Sequence, residues 1–480
     1  MRIIRSCRDL GMTAVAVYSD ADRDALHVRL ADEAYLIGPA APRESYLAIE
    51  KVVAVAKRSG CDAVHPGYGF LAENADFASA VHDAGLVFVG PPAAVQRLLG
   101  EKTRARRLAS EVGVAVVDGT TEPLRDLAEA RAVAARVGYP VMLKAAAGGG
   151  GKGMRVVRTD AELDGSWRLS RSEAEGAFGS PELFLERLVV GARHVEMQLI
   201  ADDHGSVVWL GERDCSVQRR HQKLIEESPG PAVDDALRAR LGDAAVRIAR
   251  RAEYRNAGTV EFLVSAQGEI FFLEVNTRLQ VEHPVTELVT GLDLVALQFR
   301  VAAGEVLPFT QDDVRRRGAA IELRVTAEDA RAGFVPASGT VALLRLPSGP
   351  GVRVEHALFE GMRVPTEYDP LLAKIVVWGE DRAAALARAR RAVRETIVAG
   401  VPTSLPFHAH TLEDPDFVAG RYDTGFVAAH WPPALPAELD GTALTAAALV
   451  TVLASRSRAS HVANGVATAW QRTAREDALR

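Results

Sequence analysis

Along residues 1–90 the spacing of apolar positions switches repeatedly between helical and extended periods. Arg2-Ile3-Ile4-Arg5-Ser6-Cys7-Arg8-Asp9-Leu10-Gly11 is an amphipathic, helix-like run that starts directly after Met1 and stops at a glycine. Residues 13–18, 35–37 and 86–90 are short apolar runs that predict strands, and 47–59 has helical spacing. Strands alternating with helices predict a parallel, Rossmann-like sheet in an α/β fold. Further along, 101–190 predicts two helical stretches, a strand at 141–144, a glycine-rich loop and a second strand at 154–157. Residues 195–300 read as strands followed by helices. Residues 319–378 read as an antiparallel β unit with turn signals at Pro336-Ala337-Ser338-Gly339 and Pro347-Ser348-Gly349, which makes the whole chain α+β. Residues 383–399 have the spacing of one regular helix. After Trp431-Pro432-Pro433 the composition turns rich in Ala, Ser and Thr, which marks a boundary.

Composition narrows this picture. The chain has 480 residues, 48% apolar and 25% charged. That is an ordinary globular mixture of about three domains, which excludes a mainly disordered chain and a disulfide scaffold. A net charge of -6 argues against general nucleic-acid binding. Cys7, Cys61 and Cys215 are far apart and odd in number, which predicts a reducing, cytoplasmic setting. The longest late apolar run, 444–454, is far short of the ~20 residues that span a bilayer. Only seven of the 57 cationic residues are lysines. A GC-rich genome accounts for the arginine excess, and against it Lys102, Lys144, Lys152, Lys223 and Lys374 all fall in segments with candidate chemistry; at some phosphate sites a compact point charge is not replaceable by arginine.

Lys144-Ala145-Ala146-Ala147-Gly148-Gly149-Gly150-Gly151-Lys152-Gly153 follows a strand. Four adjacent glycines present backbone N–H groups without side-chain obstruction, a concavity suited to phosphate oxygens. The loop joins two strands and would close like a lid; the bland alternative is a linker. Residues 258–276 read as a hairpin turning at Gln267-Gly268. That register sets Glu261 opposite Glu274, and two facing carboxylates repel unless a divalent cation lies between them. If the chain stays extended beyond the hairpin, Glu274, Asn276, Arg278, Gln280 and Glu282 share one face. Glu212 to Lys223 is densely polar without aromatic platforms, so a small-anion site is a better reading than nucleic acid. Ala327-Glu328-Asp329, with Glu322 and Arg324 before it, is a weaker cluster.

His65-Pro66-Gly67-Tyr68-Gly69-Phe70-Leu71-Ala72-Glu73-Asn74, the tetraglycine loop, Glu212 to Lys223 and Glu274 to Pro284 together resemble biotin carboxylase, the ATP-grasp component of biotin-dependent acyl-CoA carboxylases. The resemblance runs in order from about residue 1 to 432. It implies an N-terminal biotin carboxylase domain over 1–100 and an ATP-grasp domain over 101–310 with a lid at about 116–188. A C-terminal domain over 311–432 and a tail of unknown role over 433–480 follow. It further implies that Lys102, Lys144, Gly150, Gly151, Glu186, Leu188, His194, Gln218 and His221 hold ATP. Glu261, Glu274 and Asn276 would bind Mg²⁺ (or Mn²⁺). Lys223, Arg278, Gln280 and the Val281 backbone would hold bicarbonate, Glu282 would be the general base, and Arg324 with Tyr68 would face biotin.

Some positions depart from the family. Glu101 stands for an aspartate, Arg187 for a lysine, and Thr326 for an asparagine next to Arg324. In the family a first strand, and then Ala-Asn-Arg-Gly-Glu-Ile-Ala, precede the helix that here begins at Arg2. Their loss would expose buried backbone groups; a misassigned start codon is one hypothesis, and a true truncation is the other. No Ala-Met-Lys-Met motif is present, so biotin is expected on a separate carrier protein or a continuation of this chain. The other expected partners are a second copy, forming a homodimer, and a carboxyltransferase subunit, with no nucleic acid and no membrane. A carbamoyl-phosphate-type or purine-type ATP-grasp ligase, or a non-catalytic assembly protein, are the alternatives. Gln218 to Lys223 with Glu282 and Arg324 favours the carboxylase.

Overall fold

The computed structural model describes residues 1–120, 122–146 and 154–433. Helix α1 (Arg2–Asp9) lays Ile4 and Cys7 against Ala14, just ahead of strand β1 (Val15–Ser19). β1 pairs in parallel with β2 (Glu33–Gly38), and β3 (Ala63–Val64) pairs in parallel with β4 (Val87–Phe88). The parallel arrangement read from the sequence is present, as two separate two-stranded pairs.

Beyond residue 120 the strands are antiparallel. β5 (Val141–Ala145) is buried between β6 (Arg155–Val157) and β7 (Leu183–Arg187). Ala130 and Ala134 of the helix Leu127–Val137 and Leu163 of the helix Asp160–Phe178 pack on this small sheet. β5 and β6 are antiparallel neighbours, as expected for strands flanking the glycine loop. Gly150, Gly151 and Lys152 themselves lie outside the described residues, as does the tail 434–480.

The larger sheet carries the site. It contains β8 (Arg193–Ala201), β9 (Val207–Arg219), β10 (Gln222–Ser228), β11 (Asn256–Val264), β12 (Ile270–Asn276) and β13 (Ala319–Thr326). The strands Leu371–Gly379 and Val352–His356 complete it. Its order is β12-β11-β8-β9-β10-β13, then Leu371–Gly379, then Val352–His356, antiparallel throughout. Strands from both sides of residue 310 therefore share one sheet, with β10 hydrogen-bonded to β13. Leu241, Ala245 and Ile248 of the helix Asp235–Arg251 belong to the same apolar core as Val195, Met197, Val260 and Phe262. That burial stabilises this part of the sheet by about 25 cal/mol per Å² of apolar surface.

The helix expected over 383–399 is shorter. It spans Arg382–Glu395, capped by Asp381, and Ile397–Ala399 forms a strand against Leu343–Arg345. Thr396, Ile397 and Val398 are consecutive β-branched residues, which favour the extended form. Thr396 turns its hydroxyl back onto the Ala392 carbonyl at 2.7 Å and closes the helix end.

Candidate active site

Glu261 on β11 does face Glu274 on β12, by a route the sequence did not suggest. The hairpin closes through a three-residue loop, with Ser265 accepting from Gly268 N–H and Gly268 at φ +76. That loop sets Phe262 opposite Phe272, one residue off the expected register. A bulge between Glu261 and Phe262, with Leu273 as the extra residue, restores the glutamate pairing. On its other side Glu261 faces Glu196 of β8, and Glu196 faces Arg213 of β9. A row of three carboxylates thus crosses three strands and ends on an arginine.

This row is neutralised mainly from within the sheet. Lys223 Nζ lies 2.5 Å from Glu196, 2.9 Å from Glu261 and 2.6 Å from Glu282. Burial works against the Lys223 charge, but the three carboxylates outweigh it and hold its pKa well above the ordinary value. Arg213 and Glu196 are each fully buried and ion-paired. Arg213 also donates to Gln198, Thr286, Thr259 and Gln280 at 2.7–3.1 Å. His194 Nε2 is 2.6 Å from Glu261, and its Nδ1 is 3.3 Å from the Gln218 amide. Burial opposes the imidazolium, yet Glu261 raises its pKa above the usual value. Gln218 and Lys223 face each other across a two-residue turn, Arg220-His221, at φ +49 and +66. Two bulky residues in the left-handed region are a strained arrangement of the kind held at functional sites.

β12 ends at Asn276, so the single extended face expected through Glu282 is not formed. The chain bends, and Glu282 becomes the N-cap residue of the helix His283–Thr290. Convergence is kept by the bend itself. Asn276 and Gln280 each donate to Glu261 Oε1 at 2.8 Å. Arg278 pairs with Glu73 at 3.0 Å and donates to Asn276. Glu73 also accepts from the Thr277 N–H, tying the His65–Asn74 motif to the site. Glu282 is buried; Lys223, Arg324 and Arg213 overcome that burial and hold its carboxyl far below the usual carboxylate range. A helix N-terminus adds favourable partial charge.

Arg324 reaches Glu226 at 2.5 Å and Glu282 at 2.9 Å. Its carbonyl accepts from Ser404 Oγ at 2.9 Å and lies 2.7 Å from His408 Nε2, so its backbone is anchored independently of Thr326. The Thr326 hydroxyl turns instead to Glu328. Beside Arg324, Glu226 and Glu322 are directly opposed across β10 and β13 and both fully buried. Burial pushes Glu322 well up, Lys374 opposing, and raises Glu226 to about 7. Lys374 Nζ lies 5.8 Å from the centre of the Tyr68 ring, which is 37% exposed.

Among the expected nucleotide ligands, Lys102 lies 3.4 Å from Glu274, at the start of the helix Lys102–Glu111. Lys144 and Arg106 both pair with the buried Glu186 carboxylate. The Leu188 N–H donates to the Pro140 carbonyl at 2.9 Å.

Glu261, Glu274 and Asn276 offer only oxygen and amide donors around a like-charge pair, a set that fits Mg²⁺. A second group, His194, Glu196 and Glu261, has ligand atoms within 4.8 Å of one another, with the Lys223 ammonium bonded to two of its members. Sequence reasoning missed Glu196, Glu226, Glu73 and the role of Arg213. The alternation His194-Val195-Glu196-Met197-Gln198 was the available signal for Glu196, since it places three polar groups on one strand face.

Family models match nearly the whole described chain. "Biotin carboxylase, N-terminal domain" covers residues 1–95, "Carbamoyl-phosphate synthase L chain, ATP binding domain" covers 101–310, and "Biotin carboxylase C-terminal domain" covers 322–429. Biotin carboxylase 1 of Bacillus subtilis is 48% identical over 89% of this chain and 95% of its own. The biotin carboxylase of Halalkalibacterium halodurans is 48% identical over 90% of this chain and 95% of its own. The biotin carboxylase domain dimer of Hydrogenobacter thermophilus 2-oxoglutarate carboxylase, solved with MgADP, ADP and bicarbonate, superposes with a TM-score of 0.87. It is 42% identical and covers 89% of this chain and 94% of its own. The Campylobacter jejuni biotin carboxylase–nucleotide complex gives the same TM-score and identity, covering 89% and 96%.

Proposed function

This chain belongs to the biotin carboxylase family of ATP-grasp enzymes, which carboxylate biotin with ATP and bicarbonate, and on that footing we propose how its side chains divide the work. Lys102, Lys144, His194, Gln218 and His221 hold ATP with the Glu186–Leu188 stretch, and Gly150 and Gly151 close over its phosphates. Glu261, Glu274 and Asn276 hold Mg²⁺ (or Mn²⁺), which supplies charge neutralisation at the phosphate oxygens. Lys223, Arg278, Gln280 and the Val281 N–H bind bicarbonate. Tyr68 and Arg324 receive the biotin ureido ring.

Glu282 takes the bicarbonate proton, and the freed oxygen attacks the γ-phosphate, giving ADP and carboxyphosphate. Carboxyphosphate releases CO₂, and the leaving phosphate removes the biotin N1′ proton. Arg324 stabilises the ureido enolate that captures CO₂. In the structure Glu282 is caged by Lys223 and Arg324, which makes it a weak base at rest. Bicarbonate and biotin compete for those two cations, so each substrate that arrives frees Glu282 for proton transfer.

The observation that carries this reading is the reach of Lys223. One ammonium bridges Glu282, the proposed base, and Glu261, the proposed metal ligand, so proton removal and phosphoryl chemistry meet at one point. Its natural partners are a biotin carrier protein or domain, a carboxyltransferase subunit of an acyl-CoA carboxylase, and a second copy of the chain. The cytoplasm is the proposed location; among the described residues no helix is long and apolar enough to cross a membrane. The test is ATP-dependent incorporation of labelled bicarbonate into free biotin, with ADP release that requires both. ADP release that is independent of biotin but requires ammonia would point instead to a carbamoyl-phosphate-type ligase. No labelled product at all would sink the assignment.

A further inference from the structure

The bicarbonate subsite proposed above depends on one backbone donor, the Val281 N–H. No protein acceptor takes this N–H among the described residues. It sits in the bend between β12 and the helix His283–Thr290, where no strand ladder orients it. Something else must fix the direction of that peptide.

His283 is fully buried at the first position of its helix, and its Nδ1 lies 2.8 Å from the Gln280 carbonyl oxygen. A carbonyl only accepts, so Nδ1 carries the hydrogen. Burial pushes the His283 imidazole down to about 4, so the ring is neutral and Nε2 bears no proton. Consistent with that tautomer, Nε2 has no hydrogen-bond partner, and the nearest carboxylate oxygen, on Glu287, is 3.9 Å away. In a trans peptide the C=O of Gln280 and the N–H of Val281 point in opposite directions. Gripping one therefore aims the other. The next peptide is gripped as well: Lys374 Nζ lies 2.6 Å from the Val281 carbonyl and is itself paired with Glu355 at 2.9 Å. The Gln280 side chain is held between Arg213 and Glu261, so both substituents of this residue are tied down.

We infer that His283 is a positioning residue for bicarbonate: through the Gln280 carbonyl, its Nδ1–H aims the Val281 N–H at the anion. This rests on the reading of the bicarbonate subsite given above. His283 touches neither substrate nor reacting atoms. Its contribution belongs to bicarbonate binding and not to ATP binding.

The test compares two amides. In His283→Asn the side-chain NH₂ occupies the place of Nδ1, whereas in His283→Gln it occupies the place of Nε2. Steady-state ADP release is measured on the full chain with bicarbonate titrated and biotin present, beside His283→Phe. A lost buried hydrogen bond corresponds to about a tenfold rise in KM for bicarbonate. That rise is expected in His283→Gln and His283→Phe, with KM for ATP unchanged, while His283→Asn stays near the wild type. Equal defects in the Asn and Gln variants, or a parallel rise in KM for ATP, would overturn the inference while leaving the subsite intact. A wild-type chain whose turnover does not saturate with bicarbonate would remove the subsite reading, and this inference with it. Nitrogen-15 NMR of the wild-type ring gives a check independent of any variant. Nδ1 should be protonated and Nε2 bare, and the reverse pattern refutes the role.

Discussion

Arg213→Met removes the group on which the buried row of carboxylates ends. Arg213 and Glu196 are each 0% exposed, and Arg213 also serves Gln198, Thr286, Thr259 and Gln280. After the substitution Glu196 keeps only Lys223. Breaking one arm of a buried ion pair costs about 3–5 kcal/mol. The Gln198 and Gln280 carbonyl oxygens lose their donor, at about 1–3 kcal/mol each, while the two threonine hydroxyls can turn to other acceptors. Methionine returns about 1.5–3 kcal/mol of apolar burial. The net loss is about 2–9 kcal/mol, centred near 6, a large part of the ~5–15 kcal/mol that holds a typical domain. Equilibrium urea unfolding followed by tryptophan fluorescence measures it, since Trp209 lies on the same strand as Arg213. Adding Glu196→Gln removes the stranded charge. The double variant should therefore be at least about 1 kcal/mol more stable than the sum of the single losses implies. A loss below about 1 kcal/mol in Arg213→Met, or strict additivity in the double variant, refutes the reasoning that the row is electrostatically closed by Arg213.

Three further outcomes are expected. Glu282→Gln should lower bicarbonate-dependent ADP release by about 10²–10⁴-fold while ATP binding by fluorescence titration is retained; near-normal turnover would reassign the base. Burial, aided by Glu282 and opposed by Arg324, raises the Glu226 carboxyl from 4.5 to about 7, so the folded chain keeps a proton that the unfolded chain releases in that window. Its contribution to stability falls as pH rises from 4.5 to about 7, by on the order of 3 kcal/mol, and Glu226→Gln should flatten this slope in urea midpoints; an unaltered slope refutes it. Glu274→Gln should raise the Mg²⁺ concentration needed for half-maximal turnover, and removal of Mg²⁺ by a chelator should abolish activity reversibly. An unchanged Mg²⁺ requirement would displace Glu274 from the metal set.

What was legible in the sequence was whatever a single stretch of chain contains. The facing of Glu261 and Glu274 followed from one hairpin, and the family resemblance followed from contiguous motifs. What was not legible depends on which strands lie side by side. Alternation says that His194, Glu196 and Gln198 share a face, but not that β8 lies against β11, so the neighbour Glu261 was invisible from Glu196. Glu226 and Glu322 oppose each other only because β10 joins β13 across the expected domain boundary. The bend after Asn276 was missed because polar alternation continues through Glu282, while Pro284 at the start of the next helix gave the stop signal.

The bulge at Leu273 has a consequence for how this hairpin tolerates change. A two-residue turn without a bulge and a three-residue loop with one both bring Glu261 opposite Glu274. What the two solutions share is the count of residues between the glutamates, not the shape of the connection. Substitutions that swap one turn for the other leave the two glutamates aligned, because loop and bulge offset each other like two errors of opposite sign. A single inserted or deleted residue has no such partner. It would swing one glutamate to the opposite face of the sheet, so this short segment should vary freely in composition and hardly at all in length.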